Sequence, residues 1–286
     1  MFERFSRSWT LAGACWDVLM EDPALLIFPL LSGLAIVFLM ASFAVPVLLV
    51  HHSLQAASAD GSTTHTAGLL SYAATYVFYV IAYSVVMFFN SALIAVALRR
   101  FDGESATVAD GLQTALSNLP AILGYAVIAA TVGTILRIIE ERVGLIGRIV
   151  TSLIGAAWTL ATAMTLPVLI VENEGPVEAI SRSLDLLRRN WGENVIGNGG
   201  ISIAILLIGL PLCVVAGLFM MFAMSSKALG MIIPAAIVLL VTLVGLSLVS
   251  TTLHSIYTAA LYRYATGSKE NGGIAPELLA GAFRSK

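Results

Sequence analysis

Pro176-Val177-Glu178-Ala179-Ile180-Ser181-Arg182-Ser183-Leu184-Asp185-Leu186-Leu187-Arg188-Arg189-Asn190-Trp191 leads into a long apolar run that begins near residue 196. Within it Val177, Ile180, Leu184, Leu187 and Trp191 recur at spacings of three and four, the periodicity of one face of an α-helix. Glu178, Arg182, Asp185 and Arg189 fall on other faces, and Pro176 suits a first helical position, where its missing N–H has no intrahelical partner to lose. The stretch predicts an amphipathic helix at the foot of a membrane span.

The pattern occurs three times. Phe2, Phe5, Trp9, Ala12, Trp16 and Leu19 form such a stripe at the start of the chain, with Glu3, Arg4, Thr10 and Asp17 on other faces. Val108, Leu112, Ala115 and Leu119 form another, opened by Thr107 and Asp110 at capping-box spacing. The first and last stretches align at an offset of 175 residues: Ser6-Arg7-Ser8 stands beside Ser181-Arg182-Ser183, and Trp16 beside Trp191. Internal similarity of this kind points to duplicated units. Because each helix precedes a span leaving the same side, the repeats are expected to be parallel, about an axis near the membrane normal, which permits a pseudo-threefold arrangement. The helices either lie in the headgroup layer, with Trp9, Trp16 and Trp191 at the interface, or pack as elbows over the ends of the bundle. Polar faces carrying both signs of charge favour the elbow.

Apolar residues make up 58% of the 286-residue chain and charged ones 11%, against roughly 25% charged in a soluble globular protein. Long apolar runs occupy about 25–50, 69–98, 120–136, 149–171, 196–224 and 231–262. Each approaches or exceeds the ~17 to 25 residues that a helix needs to cross the hydrocarbon. The first is far longer than a signal peptide's apolar core and is preceded by Glu3, Asp17, Glu21 and Asp22, so it reads as a retained membrane helix.

If six helices alternate, 11 of the 15 Lys and Arg fall on one side: Arg4, Arg7, Arg99, Arg100, Arg182, Arg188, Arg189, Arg263, Lys269, Arg284 and Lys286. Arg137, Arg142, Arg148 and Lys227 fall on the other. Cytoplasmic loops accumulate Lys and Arg, which predicts both termini in the cytoplasm and the 51–67 loop facing outward. Arg137-Ile138-Ile139-Glu140-Glu141-Arg142 strains the pattern; it reads as a helix emerging into water with Arg137 paired to Glu141, or as a buried polar cluster lining a pathway.

Asp22-Pro23-Ala24-Leu25-Leu26-Ile27-Phe28-Pro29-Leu30-Leu31-Ser32-Gly33, after a Trp-containing helix, resembles the start of a bacterial family of multi-span proteins of unknown function. Pro167-Val168-Leu169-Ile170-Val171-Glu172, followed by Ala179-Ile180-Ser181-Arg182-Ser183 and Asn190-Trp191, is similar to a wider pattern. That pattern is found in CysZ-type sulfate permeases and in the membrane domain attached to some glycerophosphodiester phosphodiesterases. The resemblance implies a permease-like domain in the bacterial inner membrane, and of the second family only its membrane half.

Polar residues in the spans are few. Asn190, Asn194 and Asn198 recur every four residues beside Gly197, Gly199 and Gly200. They read as a donor-rich mouth of an anion path, or as a helix break with capping asparagines and tight glycine packing. His254 reads as a hydrogen-bonded interfacial histidine or a proton relay. Asn190, Asn194, Asn198 and His254 are thus the candidate solute path. His51, His52 and His65 read as a solvated outer loop, Asn90 as an interhelical hydrogen bond, and Thr151, Gly155, Thr159 and Ala163 as a packing stripe. Pro46, Pro167, Pro211 and Pro234 are candidate kinks. Cys15 and Cys213 read as inert residues, one before the first span and one within the fifth.

The expected fold class is all-α: a polytopic membrane protein of six transmembrane helices in three repeats, each preceded by a cytoplasmic amphipathic helix. A single transmembrane domain covers 1–264, with repeats over about 1–98, 99–171 and 172–264, and 265–286 is a cytoplasmic tail. The expected function is a conduit or permease for a small solute or anion; the alternative is a non-transporting scaffold or partner subunit. The spans contain no HExxH or GxSxG and no paired intramembrane aspartates, so no enzyme, catalytic residue, metal or cofactor is expected. The expected partner is the lipid bilayer, with a second copy of the chain left open. A net charge of -2 and the lack of a basic cluster speak against nucleic acid.

Overall fold

The computed structural model describes the backbone of residues 13–58, 64–189, 191–225 and 229–267, with side chains over 13–43, 73–188, 202–203, 205–225 and 230–267. Among the described residues every regular element is helical. Helix α1 (13–21) and a 3-10 turn (Pro23–Leu26) precede α2 (Ile27–Ser58) and α3 (Thr64–Phe101). Then come α4 (Val108–Ser117), α5 (Leu119–Arg142), α6 (Leu145–Ala161) and α7 (Thr165–Val171), and finally α8 (Pro176–Arg189), α9 (Trp191–Ser225) and α10 (Leu229–Ala265). Six segments are long and apolar enough to cross a membrane: Pro23–Phe43, Ala73–Phe101, Leu119–Arg142, Leu145–Val171, Ile205–Ser225 and Gly230–Ala265. The chain is a multi-pass membrane protein built as three pairs of spans, each pair after a short helix.

The ends of the second span in each pair share one device. The described residues with positive φ are Gly103, Asn173 and Gly267, at φ 77°, 53° and 75°, and each lies two residues past the end of α3, α7 or α10. A left-handed residue there turns the chain off the helix axis, and Gly or Asn adopts it at least steric cost. The triple recurrence is backbone support for the repeats.

Two expectations are corrected. The 51–67 loop is mostly helix, since α2 runs to Ser58 and α3 starts at Thr64, so His51, His52 and His65 lie in helices, with side chains outside the described set. At 1.5 Å per residue α2 is ~48 Å long, more than the ~30 Å hydrocarbon, and Ala-rich polar turns simply continue it. The fifth span is not broken near Gly197–Gly200; the α9 backbone is helical from Trp191 to Ser225. The break occurs in the fourth span, between Ala161 and Thr165. Pro167 lacks the N–H that would bond the Ala163 carbonyl and crowds it sterically, so the helix yields one turn earlier. Pro211 and Pro234 sit inside continuous helices.

The amphipathic helices bury only part of the expected stripes, Leu19, Ala115 and Leu187, together with residues outside them. In α8 the buried residues are Ala179, Ser183, Leu186 and Leu187, while Val177 is 62% exposed. In α4 they are Gly111 and Ala115, and in α1 Cys15, Val18 and Leu19, with Trp16 45% exposed. Gly111, Ala115, Ala179 and Ser183 on the inner faces let helix axes approach closely, which large side chains do not.

Two compact units are distinguishable by their internal contacts: residues 28–92 with 109–185, and residues 1–27, 93–108 and 186–286. In the first, α5 packs on α6 and α7. A Cβ placed on Gly124 of α5 would lie 2.9 Å from Cγ of Pro176, so α8 begins directly against that backbone. Phe43 of α2 meets Phe78 of α3 edge-on at 5.3 Å. In the second unit α9 packs along α10, and the 3-10 turn also touches α10.

Candidate functional site

Helices α9 and α10 run antiparallel, and two contacts fix their register. A Cβ on Gly209 would fall 2.6 Å from Cδ2 of Leu246, so the two axes are close there. Seven residues back along α9 and eight on along α10, Ser202 Oγ lies 3.3 Å from Nε2 of His254. The His254 Nδ1 lies 2.9 Å from the Ser250 carbonyl oxygen. A carbonyl only accepts, so Nδ1 carries the hydrogen, and Nε2 is the ring atom that faces the Ser202 hydroxyl. His254 is half-buried, and the Thr258 hydroxyl donates to its main-chain oxygen at 2.8 Å.

Ser202 extends the asparagine series. Residues 190, 194, 198 and 202 are each four apart, so positions 194, 198 and 202 follow one strip of α9. Asn190 lies outside the described residues, as do the side chains of Asn194 and Asn198. Ser202 was legible as the next member of the series, but a serine in an apolar run carries little weight until a partner is known.

The other unit holds a hydroxyl seam that the sequence reading missed. Tyr76, Tyr79 and Tyr83 recur at spacings of three and four on α3. The Thr131 hydroxyl donates to the Val127 carbonyl at 2.7 Å, so the Tyr76 hydroxyl, 2.8 Å away, is the donor to Thr131. Arg137 donates to the Tyr79 hydroxyl and pairs with Glu141 at 3.3 Å, its guanidinium 5.9 Å from the Tyr79 ring centre. Arg137 and Glu141 are exposed, as expected of a helix emerging with its charges paired at one-turn spacing. Nearer the start of α5, buried Tyr125 lies beside Thr162 and Thr165 at the α6–α7 break, where the Thr162 hydroxyl donates to the Trp158 carbonyl at 2.9 Å. The signal was the tyrosine spacing, hidden because tyrosine counts as apolar in composition.

Ser183 closes that break. Its hydroxyl donates to the Ala161 carbonyl at 2.7 Å and accepts from the Met164 N–H at 3.1 Å. One buried side chain of α8 thereby satisfies two main-chain groups freed in the fourth span. Arg182, beside it, pairs with Glu172 at 3.1 Å.

A family model described as a family of unknown function, DUF6159, matches residues 69–273. The chain belongs to this family. No curated protein matches it. The DUF6159 match takes in the seam, the α6–α7 break and the His254 pair; α1, α2 and the Asp22–Gly33 stretch precede it.

The unit of α9 and α10 in this DUF6159 chain also carries ion pairs at one end. Asp22 accepts from the Ala24 N–H at 3.3 Å, capping the 3-10 turn, and pairs with Arg100 at 3.0 Å. Arg100 donates on to the Ala106 carbonyl at 2.9 Å, and Asp102 pairs with Arg263 at 2.7 Å. The start of the first span is thereby tied to the end of the second, and the end of the second to the end of the sixth.

Proposed function

We propose that this is a bacterial inner-membrane protein with both termini in the cytoplasm, acting as a conduit for a small polar solute, with anions the first class to assay. The observation that carries the reading is Ser202 against His254: the four-residue series that starts at Asn190 ends on the ionisable group of the sixth span. Polar residues are costly in a membrane, and a strip of them along one helix with an ionisable partner is the usual mark of a solute path. The resemblance to sulfate permeases supports the choice of anions. No enzymatic chemistry is part of the proposal. Protein reconstituted in vesicles is assayed for uptake of small anions beside an Asn194→Leu, Asn198→Leu double variant. Uptake that the double variant abolishes supports the path, and uptake that it leaves intact rejects it.

A second reading, a non-transporting scaffold, is favoured by the hydroxyl seam, where Tyr76 bonds to Thr131 across two helices as interhelical glue. Folded protein that moves none of the anions assayed supports that reading.

A further inference from the structure

The amphipathic helices have three faces each, and the two edges beside the buried face are unlike. In α8 the buried strip is Ala179, Ser183 and Leu186, and the exposed strip is Glu178, Ser181, Asp185 and Arg188. At roughly 3.6 residues per turn, Val177, Ile180 and Leu184 fall between these strips on one side, Val177 exposed and the other two half-buried. Arg182 falls between them on the other side, where it pairs with Glu172. In α4 the buried face is Gly111 and Ala115 and the polar one Asp110, Gln113 and Ser117; between them lie half-buried Leu112 and Leu116, the latter 58% exposed. In α1 Cys15, Val18 and Leu19 are buried, Asp17 and Glu21 are exposed, and Trp16 and Met20, also exposed, lie between. Viewed down each helix from its first residue, the apolar edge follows the buried face in the same rotational sense all three times.

We propose that this edge of α1, α4 and α8 lies in the lipid surface, at the boundary between headgroups and acyl chains, while the buried face of each helix packs on protein. Two observations choose lipid over a protein partner. In parallel repeats each helix stands in one relation to the span that follows it, so an edge that meets lipid in one meets it in all; a protein would have to find three separate helices alike. The second is continuity with a span. Only Asn118 separates α4 from α5; its N–H donates to the Thr114 carbonyl at 3.3 Å and its carbonyl accepts from the Ile122 N–H at 3.0 Å, so helical bonding crosses the junction. Leu116, Leu123 and Val127, spaced seven and four apart, are all exposed, and the strip thus runs from the amphipathic helix onto a membrane span. The exposed charges are of both signs, Asp17 and Glu21 on α1, Glu178, Asp185 and Arg188 on α8. Burial of apolar side chains, and not attraction to anionic headgroups, therefore holds the edge in place. The elbow and the interfacial helix are one arrangement, whether or not the chain conducts a solute.

The full chain carrying Cys213→Ala, in which buried Cys15 is the remaining native thiol, is given single cysteines bearing a nitroxide and reconstituted in phosphatidylcholine vesicles. Collisions of the label with oxygen, which concentrates in hydrocarbon, are compared with collisions with a water-soluble nickel chelate. Labels replacing Met20, Leu116 and Val177 should favour oxygen several-fold more than labels replacing Asp17, Gln113 and Ser181 on the polar faces of the same helices. Should a variant fail to fold, Trp16 replaces Met20, Leu112 replaces Leu116 and Ile180 replaces Val177 as the labelled position. The contrast should persist when phosphatidylglycerol is added. Apolar-edge labels as open to nickel as one at exposed Ser105 would place the helices in water and overturn the proposal. Labels shielded from both reagents overturn it in favour of a protein partner, a second copy of the chain where label–label broadening accompanies the shielding. A contrast present only with phosphatidylglycerol overturns it in favour of anionic headgroups, and a contrast confined to one helix overturns the shared arrangement.

Discussion

Ser183 satisfies two main-chain groups at once, which is why a polar residue can sit fully buried on the inner face of α8. Ser183→Ala removes only the hydroxyl and leaves the Ala161 carbonyl and the Met164 N–H without that partner, at about 1–3 kcal/mol for each unsatisfied group. Denaturation in detergent should show a loss of about 2 kcal/mol or more; an alanine variant as stable as the wild type would contradict the stitch. In the sequence Ser183 was visible as part of a motif shared with Ser8, but its task was not. A serine on an amphipathic helix signals nothing until the break it closes, set by Pro167 in another helix, is known. His254 was legible as a candidate, since an ionisable group in an apolar run stands out; its Ser202 partner, 52 residues away, was not.

At the scale of elements, the apolar stripes correctly located α4 and α8, and in each they held one buried residue, Ala115 and Leu187, but missed Gly111, Ala179, Ser183 and Leu186. Choosing the largest apolar residues as the inner face overlooks that close approach between backbones needs small side chains, which favours Gly111, Ala115, Ala179 and Ser183. Gly124 is the sharpest case, with Pro176 of α8 where its side chain would be. Gly124→Val should separate α8 from α5 and cost about 1–3 kcal/mol by overpacking. Gly217→Ala, in α9 with nothing within 4 Å, should be neutral or stabilising by up to about 1 kcal/mol through helix propensity. Thermal unfolding of the two variants in one detergent compares them, and an unaffected Gly124→Val would mean that α8 is not seated on α5.

At the scale of the molecule, the 11 to 4 division of Lys and Arg predicts sidedness. Maleimide labelling of single cysteines introduced at Asp60, Ser105 and Glu270 should reach the first only from outside and the other two only from the cytoplasm. Native Cys15 should stay silent at pH 7 to 8, because burial pushes its thiol from 9.0 up to about 12 and the reactive thiolate is absent. Cytoplasmic labelling at position 60 would overturn the arrangement. Six spans and three repeats were legible because a membrane span is a local property: ~20 apolar residues must hydrogen-bond within their own helix whatever surrounds them. The paired ends of the spans were foreshadowed only as charges; that Asp22 meets Arg100 and Asp102 meets Arg263 depends on which ends lie together. The sequence by itself therefore determined class, number of spans and repeat, all consequences of composition and short-range periodicity. Only the tertiary structure decided which face each helix buries, where the fourth span breaks, and that Ser202 ends the asparagine series on His254, because each depends on a partner far away in the chain.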